Sequence, residues 1–408
     1  MSREAGMRNT GFSAVKVSER VYWVGAVDWA IRDFHGYSTN QGSTYNAYLI
    51  VADKVTLIDT VKAPFQDELL ARIATVVNPC DIDYLVSNHA EMDHSGALPA
   101  LIQALKPEKV FASVMGVRAL QEHFHLEQEL VAVKDGDSLS LGNLNLQFLE
   151  TRMLHWPDSM MTYLKEAAVL FSQDGFGMHL ATSERFADEL DLASLRREGA
   201  KYYANILLPF SQLVLKLLER VQALGIPIRV IAPDHGPIWR KDPGTIVDWY
   251  REWAEQRPKS KAVIVYDTMW QSTALMARAI ADGIAAGGAE VKVLGLRASD
   301  RSEVMTEVLD AGAVVVGSPT INNGLFPTVA DMLVYMKGLK PRGKVGAAFG
   351  SFGWSGEAVG VIARELQEMG VELIDEPLKV KFVPDEAALK RCQELGANIA
   401  RRLQELVR

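Results

Sequence analysis

Cysteine is scarce: Cys80 and Cys392 are the only two in 408 residues. That excludes a disulfide framework and a cysteine-ligated cluster, and it fits a reducing compartment. No stretch of about 18 uninterrupted apolar residues occurs, so no membrane span is expected. Met1 to Val15 carries no long apolar run after its basic residues, so no signal peptide is expected either. Positive charge is also short. The net charge of −8 argues against nonspecific nucleic-acid binding, which needs a basic surface, and would suit a partner with a basic patch. Tandem repeats and low-complexity tracts are missing, as are the Gly-x-Gly-x-x-Gly turn and the lysine-bearing phosphate loop. What remains is an ordinary soluble composition, 48% hydrophobic and 23% charged, expected in the cytoplasm. The length exceeds what one core usually serves, so two or more domains are expected.

Two grammars divide the chain. From Val21 to about Glu150 short strands alternate with turns, as in Val21–Val24, Asn46–Val51, Val55–Asp59 and Leu144–Leu149. Helical patterns interrupt them at Pro64–Val76, Ala97–Leu105 and Val117–Phe124, and a longer amphipathic pattern runs between Tyr202 and Leu224. Strands at both ends with helices outside predict an αββα sandwich. After the polar stretch Arg257-Pro258-Lys259-Ser260-Lys261, strands and helices alternate strictly. The strands are Ala262–Tyr266, Glu290–Leu296, Ala313–Gly317, Lys344–Phe349 and Val371–Val383. The helices are Ala274–Ala285, Ser302–Leu309, Pro327–Lys337, Glu357–Met369 and Glu386–Leu406. Such β-α repeats specify a doubly wound parallel sheet. The division expected is therefore 1–256 and 257–408.

The first half contains His89-Ala90-Glu91-Met92-Asp93-His94, four potential metal ligands in six residues directly after the apolar segment Tyr84-Leu85-Val86. Three more candidates stand in similar settings: His155 before Trp156-Pro157-Asp158, Asp174 before Gly175, and His235 between Asp234 and Gly236. A lone histidine is more often structural than ligating, and His123 and His125, at the end of an expected surface helix, are left unassigned. The dense cluster differs, because four polar groups behind a buried strand are costly to bury unpaired; a purely structural hydrogen-bond network is the alternative. Imidazoles mixed with carboxylates suit a hard-to-borderline transition metal. Seven ligands are too many for one ion and about right for a pair.

The order His-x-Glu-x-Asp-His followed by distant His, Asp and His resembles the flavodiiron proteins within the metallo-β-lactamase superfamily. The superfamily's zinc hydrolases typically carry His-x-His-x-Asp-His. Glu91 in place of the second histidine adds a negative charge and an oxygen donor, moving the site from zinc toward iron. The resemblance implies that His89, Glu91 and His155 hold one iron, that Asp93, His94 and His235 hold the other, and that Asp174 bridges them. Two ferrous ions would then be balanced by these three carboxylates and a bridging hydroxide. The same resemblance suggests His35 and Tyr203 as donors lining a substrate pocket, where reduction to water consumes protons. A buried tyrosine satisfied by backbone is the competing reading for Tyr203. His179 would orient a ligand or cap a local turn.

In the second half, Thr268-Met269-Trp270-Gln271-Ser272-Thr273 follows the first strand and opens a helix. Hydroxyls and amides there can cradle a phosphate without a lysine, and the segment resembles the phosphate loop of flavodoxins, which hold FMN at the carboxyl ends of their strands. Pro319, Thr320, Ile321, Asn322 and Asn323 follow the third strand. Ser351, Phe352, Gly353, Trp354, Ser355 and Gly356 follow the fourth. Glycines would let amides approach the isoalloxazine edge, with Trp354 over a ring face. Taken alone, each is only a turn; three at the same end of successive strands point to FMN rather than NAD.

The resemblance to flavodiiron proteins spans nearly the whole chain, from about Val15 to Leu406. It implies a cytoplasmic oxidoreductase that passes electrons from an external donor through FMN to a non-haem di-iron site and reduces dioxygen to water, nitric oxide to nitrous oxide, or both. The Cys-x-x-Cys pairs of a fused rubredoxin are missing, so a separate rubredoxin or a reduced deazaflavin coenzyme is the expected donor. A head-to-tail homodimer, or a dimer of such dimers, would bring one subunit's FMN beside the other's irons. Two other classes stay open: a two-zinc hydrolase fused to an electron carrier, and a flavin-based redox sensor.

Overall fold

A computed structural model describes residues 11–407. By internal contacts the chain divides into two compact units. The first runs to Phe34 and resumes over Thr39–Tyr202 and Gln212–Arg251; the second takes His35–Ser38, Tyr203–Ser211 and the chain from Glu252 onward.

The first unit is an αββα sandwich. Its seven-stranded sheet has the order Val15–Lys16, Val21–Trp23, Tyr48–Ile50, Val55–Ile58, Ile82–Ser87, Lys109–Ser113, Leu130–Val133. Its five-stranded sheet runs Ser138–Ser140, Asn145–Glu150, Met160–Leu164, Val169–Gln173, Val230–Pro233. Alternation along each strand decides which layer a side chain joins. Tyr48 and Ile50 enter the core between the sheets with Phe111, Phe148 and Phe171. Leu49 points the other way, into a second cluster with Leu57, Leu85, Leu98 and Leu120 that lies under the helices Leu98–Leu105 and Val114–Phe124.

In the second unit, a six-stranded sheet has the order Glu290–Gly295, Lys259–Tyr266, Ala311–Gly317, Val345–Phe352, Glu372–Leu373, with Leu378–Lys381 also pairing the fourth of these. Every pairing is parallel. A central strand covered on both faces must be apolar throughout, and Ala311–Gly317 is a fully buried Ala-Gly-Ala-Val-Val-Val-Gly run. The helices Ser272–Ala286 and Glu386–Val407 pack so closely that Gly283 and Gly396 have no room for a Cβ against each other's backbone.

Three elements differ from the sequence reading. The helix Leu192–Tyr202 was not among the expected elements. The pattern from Tyr202 to Leu224 is not one helix: a π-helical turn, Tyr203–Leu207, and a 3₁₀ turn, Leu208–Phe210, precede the helix Ser211–Leu224. Pro209 explains the break, because it lacks an amide and its ring crowds the preceding turn. The expected strand Val371–Val383 is two short pieces, Glu372–Leu373 and Leu378–Lys381, separated by a segment ending in Pro377, which cannot donate to a ladder.

Candidate metal centre and cofactor cavity

The strand Ile82–Ser87 ends in the interior and hands the chain to Asn88, whose backbone amide and side-chain amide both donate to Asp59, at 2.6 and 2.7 Å. The Thr162 hydroxyl donates to Asn88 Oδ1 at 2.6 Å, so the loop is fixed from both sheets. One residue later His89 enters the pocket, and the short helix Met92–Ser95 turns Asp93 and His94 inward. His155 arrives from the loop after Asn145–Glu150, and Asp174 and His235 from the ends of Val169–Gln173 and Val230–Pro233. All seven expected ligands converge.

They form two groups, His89, Glu91, His155 and Asp174 in one and Asp93, His94 and His235 in the other, with ligand atoms in each within 4.8 Å of one another. The carboxylate of Asp174 splits between them. Its Oδ2 lies 3.4 Å from His89 Nε2 and 3.0 Å from His155 Nε2, while its Oδ1 lies 3.1 Å from His94 Nε2 and 3.4 Å from His235 Nε2. Glu91 Oε2 closes the first group, 3.1 Å from His155 Nε2. Asp93 Oδ2 closes the second, 3.1 Å from His235 Nε2.

Three of these imidazoles point Nε2 inward; hydrogen bonds hold His89 and His235 by Nδ1 from behind, while His94 Nδ1 only faces a carboxylate without meeting hydrogen-bond geometry. His89 Nδ1 lies 3.0 Å from Asp158 Oδ2, His94 Nδ1 is 3.4 Å from Asp234 Oδ2, and His235 Nδ1–H donates to the Thr44 carbonyl at 2.6 Å. This second ring fixes tautomer and ring plane, as around metal-bound imidazoles generally. His179 joins it: Ser43 Oγ hydrogen-bonds His179 Nδ1 at 2.8 Å, and the His179 and His235 ring centroids are 4.5 Å apart.

Charge in the pocket is tightly balanced. Burial disfavours the His89 cation, but the hydrogen bonds to Asp158 and Glu91 override it and push its pKa up to about 10. Burial likewise opposes charge on His94, yet Asp93 and Asp174 hold it well above the usual imidazole range. Glu91 and Asp174 are lowered despite burial by the adjoining histidines. Behind them, burial and then the charge of Asp59 push Asp234 well above the ordinary carboxylate range. Both Asp93 oxygens are buried and neither meets hydrogen-bond geometry, although imidazole nitrogens stand 3.1 and 3.4 Å away. Two buried carboxylate oxygens with no proton to accept, beside imidazoles and carboxylates that a cation could draw away from their mutual hydrogen bonds, fit a pair of borderline metal ions.

Of the two expected pocket donors, His35 and Tyr203 both fall in the second compact unit. The Tyr203 hydroxyl donates to Ser211 Oγ at 3.1 Å, and its ring packs 5.7 Å from that of Trp253. It is Tyr202 that meets the metal cluster. This buried ring lies 5.1 Å from His179, and burial and then the charge of Asp174 hold its pKa well above the usual phenol value. Leu195, Gly199 and Tyr202 are all buried along the helix Leu192–Tyr202.

In the second unit, a cavity of about 780 Å³ opens at the carboxyl ends of the strands. The residues expected to bind a flavin line it, except Thr268, Gln271, Thr273 and Gly356. Phe382 and Val383, just beyond the strand Leu378–Lys381, complete the lining and were missed. The excepted residues shape the loops. Gln271 sits at φ 69° before the helix Ser272–Ala286, and Thr273 Oγ1 and Ser351 Oγ tie the first loop to the last at 3.0 Å. Asn322 and Asn323 both take positive φ, 48° and 58°, in a tight turn closed by the Gly324 amide on the Ile321 carbonyl. Thr268 Oγ1 is buried and has no hydrogen-bond partner. Beneath it, the buried Asp267 accepts from the Thr268 amide at 2.6 Å, from Arg297 Nε at 3.0 Å and from the Thr328 hydroxyl at 2.6 Å. Trp270 and Trp354 stand 89% and 88% exposed at the mouth, apolar surface of a kind that covers a planar ligand. Apolar lining, an unfilled hydroxyl and helix-terminal amides fit a flavin phosphate.

Comparison with known proteins agrees with both halves. Residues 44–236 match the model of the ODP family beta lactamase, and residues 264–396 match that of flavodoxin. The nitric oxide reductase of Moorella thermoacetica is 50% identical over 395 residues, covering 96% of this chain and 99% of that protein. Among solved structures, the rubredoxin oxygen:oxidoreductase from Desulfovibrio gigas superposes with a TM-score of 0.95 at 47% identity, over 97% of this chain and 100% of its own. The flavodiiron protein from Giardia intestinalis gives a TM-score of 0.94 at 37% identity, over 97% and 98%.

Proposed function

The chain belongs to the flavodiiron proteins, and from that premise we propose that it is an oxidoreductase that reduces dioxygen to water, nitric oxide to nitrous oxide, or both, with FMN and two non-haem irons as its cofactors. The observation that carries this reading is the split of Asp174 between two His-carboxylate groups, in a chain that also folds a flavodoxin-like half. When bound, the flavin relays electrons singly and the iron pair activates the gas.

In this reading His89, Glu91 and His155 hold one iron, and Asp93, His94 and His235 the other, with Asp174 between them. Asp158, Asp234 and the Thr44 carbonyl keep the imidazole lone pairs aimed inward. The Tyr202 hydroxyl, kept neutral by burial and by Asp174, holds a proton beside the place where reduction consumes one. On the flavin side, the segment from Thr268 to Thr273 takes the phosphate, and the loops carrying Asn322 and Trp354 take the ring system. The iron-binding domain lies within 1–256 and the flavin-binding domain is 257–408, packed with His35–Ser38 and Tyr203–Ser211 from the earlier chain.

Relatives named rubredoxin-oxygen oxidoreductase and flavorubredoxin support a rubredoxin as the electron donor; a reduced deazaflavin coenzyme as the alternative donor, a head-to-tail homodimer and a cytoplasmic location belong to the same proposal. No helix among the described residues is long and apolar enough to cross a membrane. The test is metal and flavin analysis followed by anaerobic reduction and rapid mixing with each gas, with flavin and iron reoxidation followed separately. About two irons and one FMN per chain, both reoxidised by at least one gas, is the expected result. Zinc in place of iron, with no gas consumed, would overturn it.

A further inference from the structure

A second cavity, of about 340 Å³, lies in the first unit between the five-stranded sheet and the helices that cover its outer face. Its floor is Met161, Leu170 and Ile231, the outward side chains of three adjacent strands, and its roof is Leu218 and Val221 of the helix Ser211–Leu224. It is a cleft open to solvent rather than a sealed void: Gln222 and Gly225 in its lining are exposed, and Val221, Ile226, Ile228 and Arg251 are partly so. A water molecule's share of the liquid is about 30 Å³, so the space would hold several small molecules, but its floor offers a water no polar partner.

The cavity has two ends. One reaches solvent past the exposed Gln222 and Gly225. The other is closed by Phe176, two residues beyond Asp174 in the loop that delivers Asp174 to the metal cluster. Gly175 lies between them. A Cβ on Gly175 would sit 2.7 Å from the Met161 terminal methyl, so the absence of a side chain lets the cavity floor touch that loop. Met161 is unbranched and adaptable, and Phe176 is held by its ring partner Tyr250 at 4.8 Å.

We infer that this apolar cavity, between the helix Ser211–Leu224 and the five-stranded sheet, takes up the apolar diatomic substrate from solvent and delivers it to the Asp174 loop. The inference rests on the reductase reading, which makes the substrate a weakly hydrated gas. Such a molecule gains by resting against the apolar floor, whereas a charged or hydrogen-bonding metabolite would find polar side chains in the lining only at Gln222 and Arg251 and none on the floor.

Xenon, an apolar probe of similar size, tests this directly. Pressurised crystals of the holoenzyme should show xenon between Leu170 and Val221, and Val221→Trp, which fills the space, should abolish it. In solution, the second-order rate at which the reduced holoenzyme reacts with dioxygen or nitric oxide should fall about fivefold in Val221→Trp, with turnover at saturating gas, iron and FMN content unchanged. If the tryptophan variant does not fold, Val221→Phe should give the same pattern at smaller amplitude. An active wild type without xenon in the cavity, or a filled variant reacting at the wild-type rate, would overturn the route alone. A wild type that consumes neither gas would overturn the reductase reading and the route with it.

Discussion

The metal cluster hides its working groups, with His89, His94 and Asp174 almost wholly buried, whereas the flavin cavity leaves Trp270 and Trp354 nearly nine-tenths in solvent. In the first, specificity resides in side-chain lone pairs, and each group holds its place because the next one needs it. In the second, specificity resides largely in backbone: a helix start, a turn with two positive-φ asparagines, and apolar walls. Loss of one side chain should therefore be severe in the first and graded in the second.

Asp174→Ala should separate them most sharply. It removes the one carboxylate shared by both groups, so iron content should fall and turnover with either gas should drop by about a hundredfold or more, while bound FMN stays at the wild-type level. Iron analysis, flavin absorbance and gas consumption on one preparation check all three. Retained turnover would break the contrast.

A smaller effect is expected from Asp267→Asn, the nearest thing in the flavin half to a shared buried carboxylate. The amide would turn a donor toward the Thr268 amide, Arg297 or Thr328, all of which now donate to it. FMN affinity of the apoprotein, measured by fluorescence titration, should weaken about tenfold with iron content unchanged. An unchanged affinity would mean that the loop holds its shape without this support.

The mildest expectation concerns stability. In the first unit the buried histidines face carboxylates; in the second, the buried Lys344 donates to the carbonyls of Leu309 and Ala311, and burial lowers its pKa from 10.5 to about 8. Between those values the unfolded chain binds a proton that the folded one does not, so this lysine's contribution to stability should rise with pH from about 8 to about 10.5, by roughly 1–3 kcal/mol. Below that window both states are protonated and the penalty is constant. Denaturant unfolding at pH 8 and pH 10 should show wild-type stability gaining on that of Lys344→Met, a difference that removes the opposite trend of groups such as His89, whose raised pKa spans the same window.

What could be read in advance follows the same division. His89, Glu91, Asp93 and His94 were recognisable because residue type and spacing are the chemistry of a ligand set. Asp158 and Asp234 stood beside assigned histidines but carried no mark of their own, since supporting an imidazole from behind demands no fixed spacing. Tyr202 and Tyr203 are both fully buried, so neither hydropathy nor burial could tell in advance which of the two stands beside His179. Phe382 and Val383 were beyond reach, because their place at the cavity depends on where a broken final strand ends.

The second compact unit borrows two stretches from early in the chain, His35–Ser38 and Tyr203–Ser211. Ser38 bonds Asp300 and Ser302, the Gly36 carbonyl accepts from Arg301, and Asn205 joins Ser302 and Tyr335. Anyone excising the yellow half for separate expression at a single cut near residue 256 would leave those partners behind. The fragment would begin with a bare, polar scar over its second helix, and a graft meant to transplant this module needs to carry or replace all three pieces.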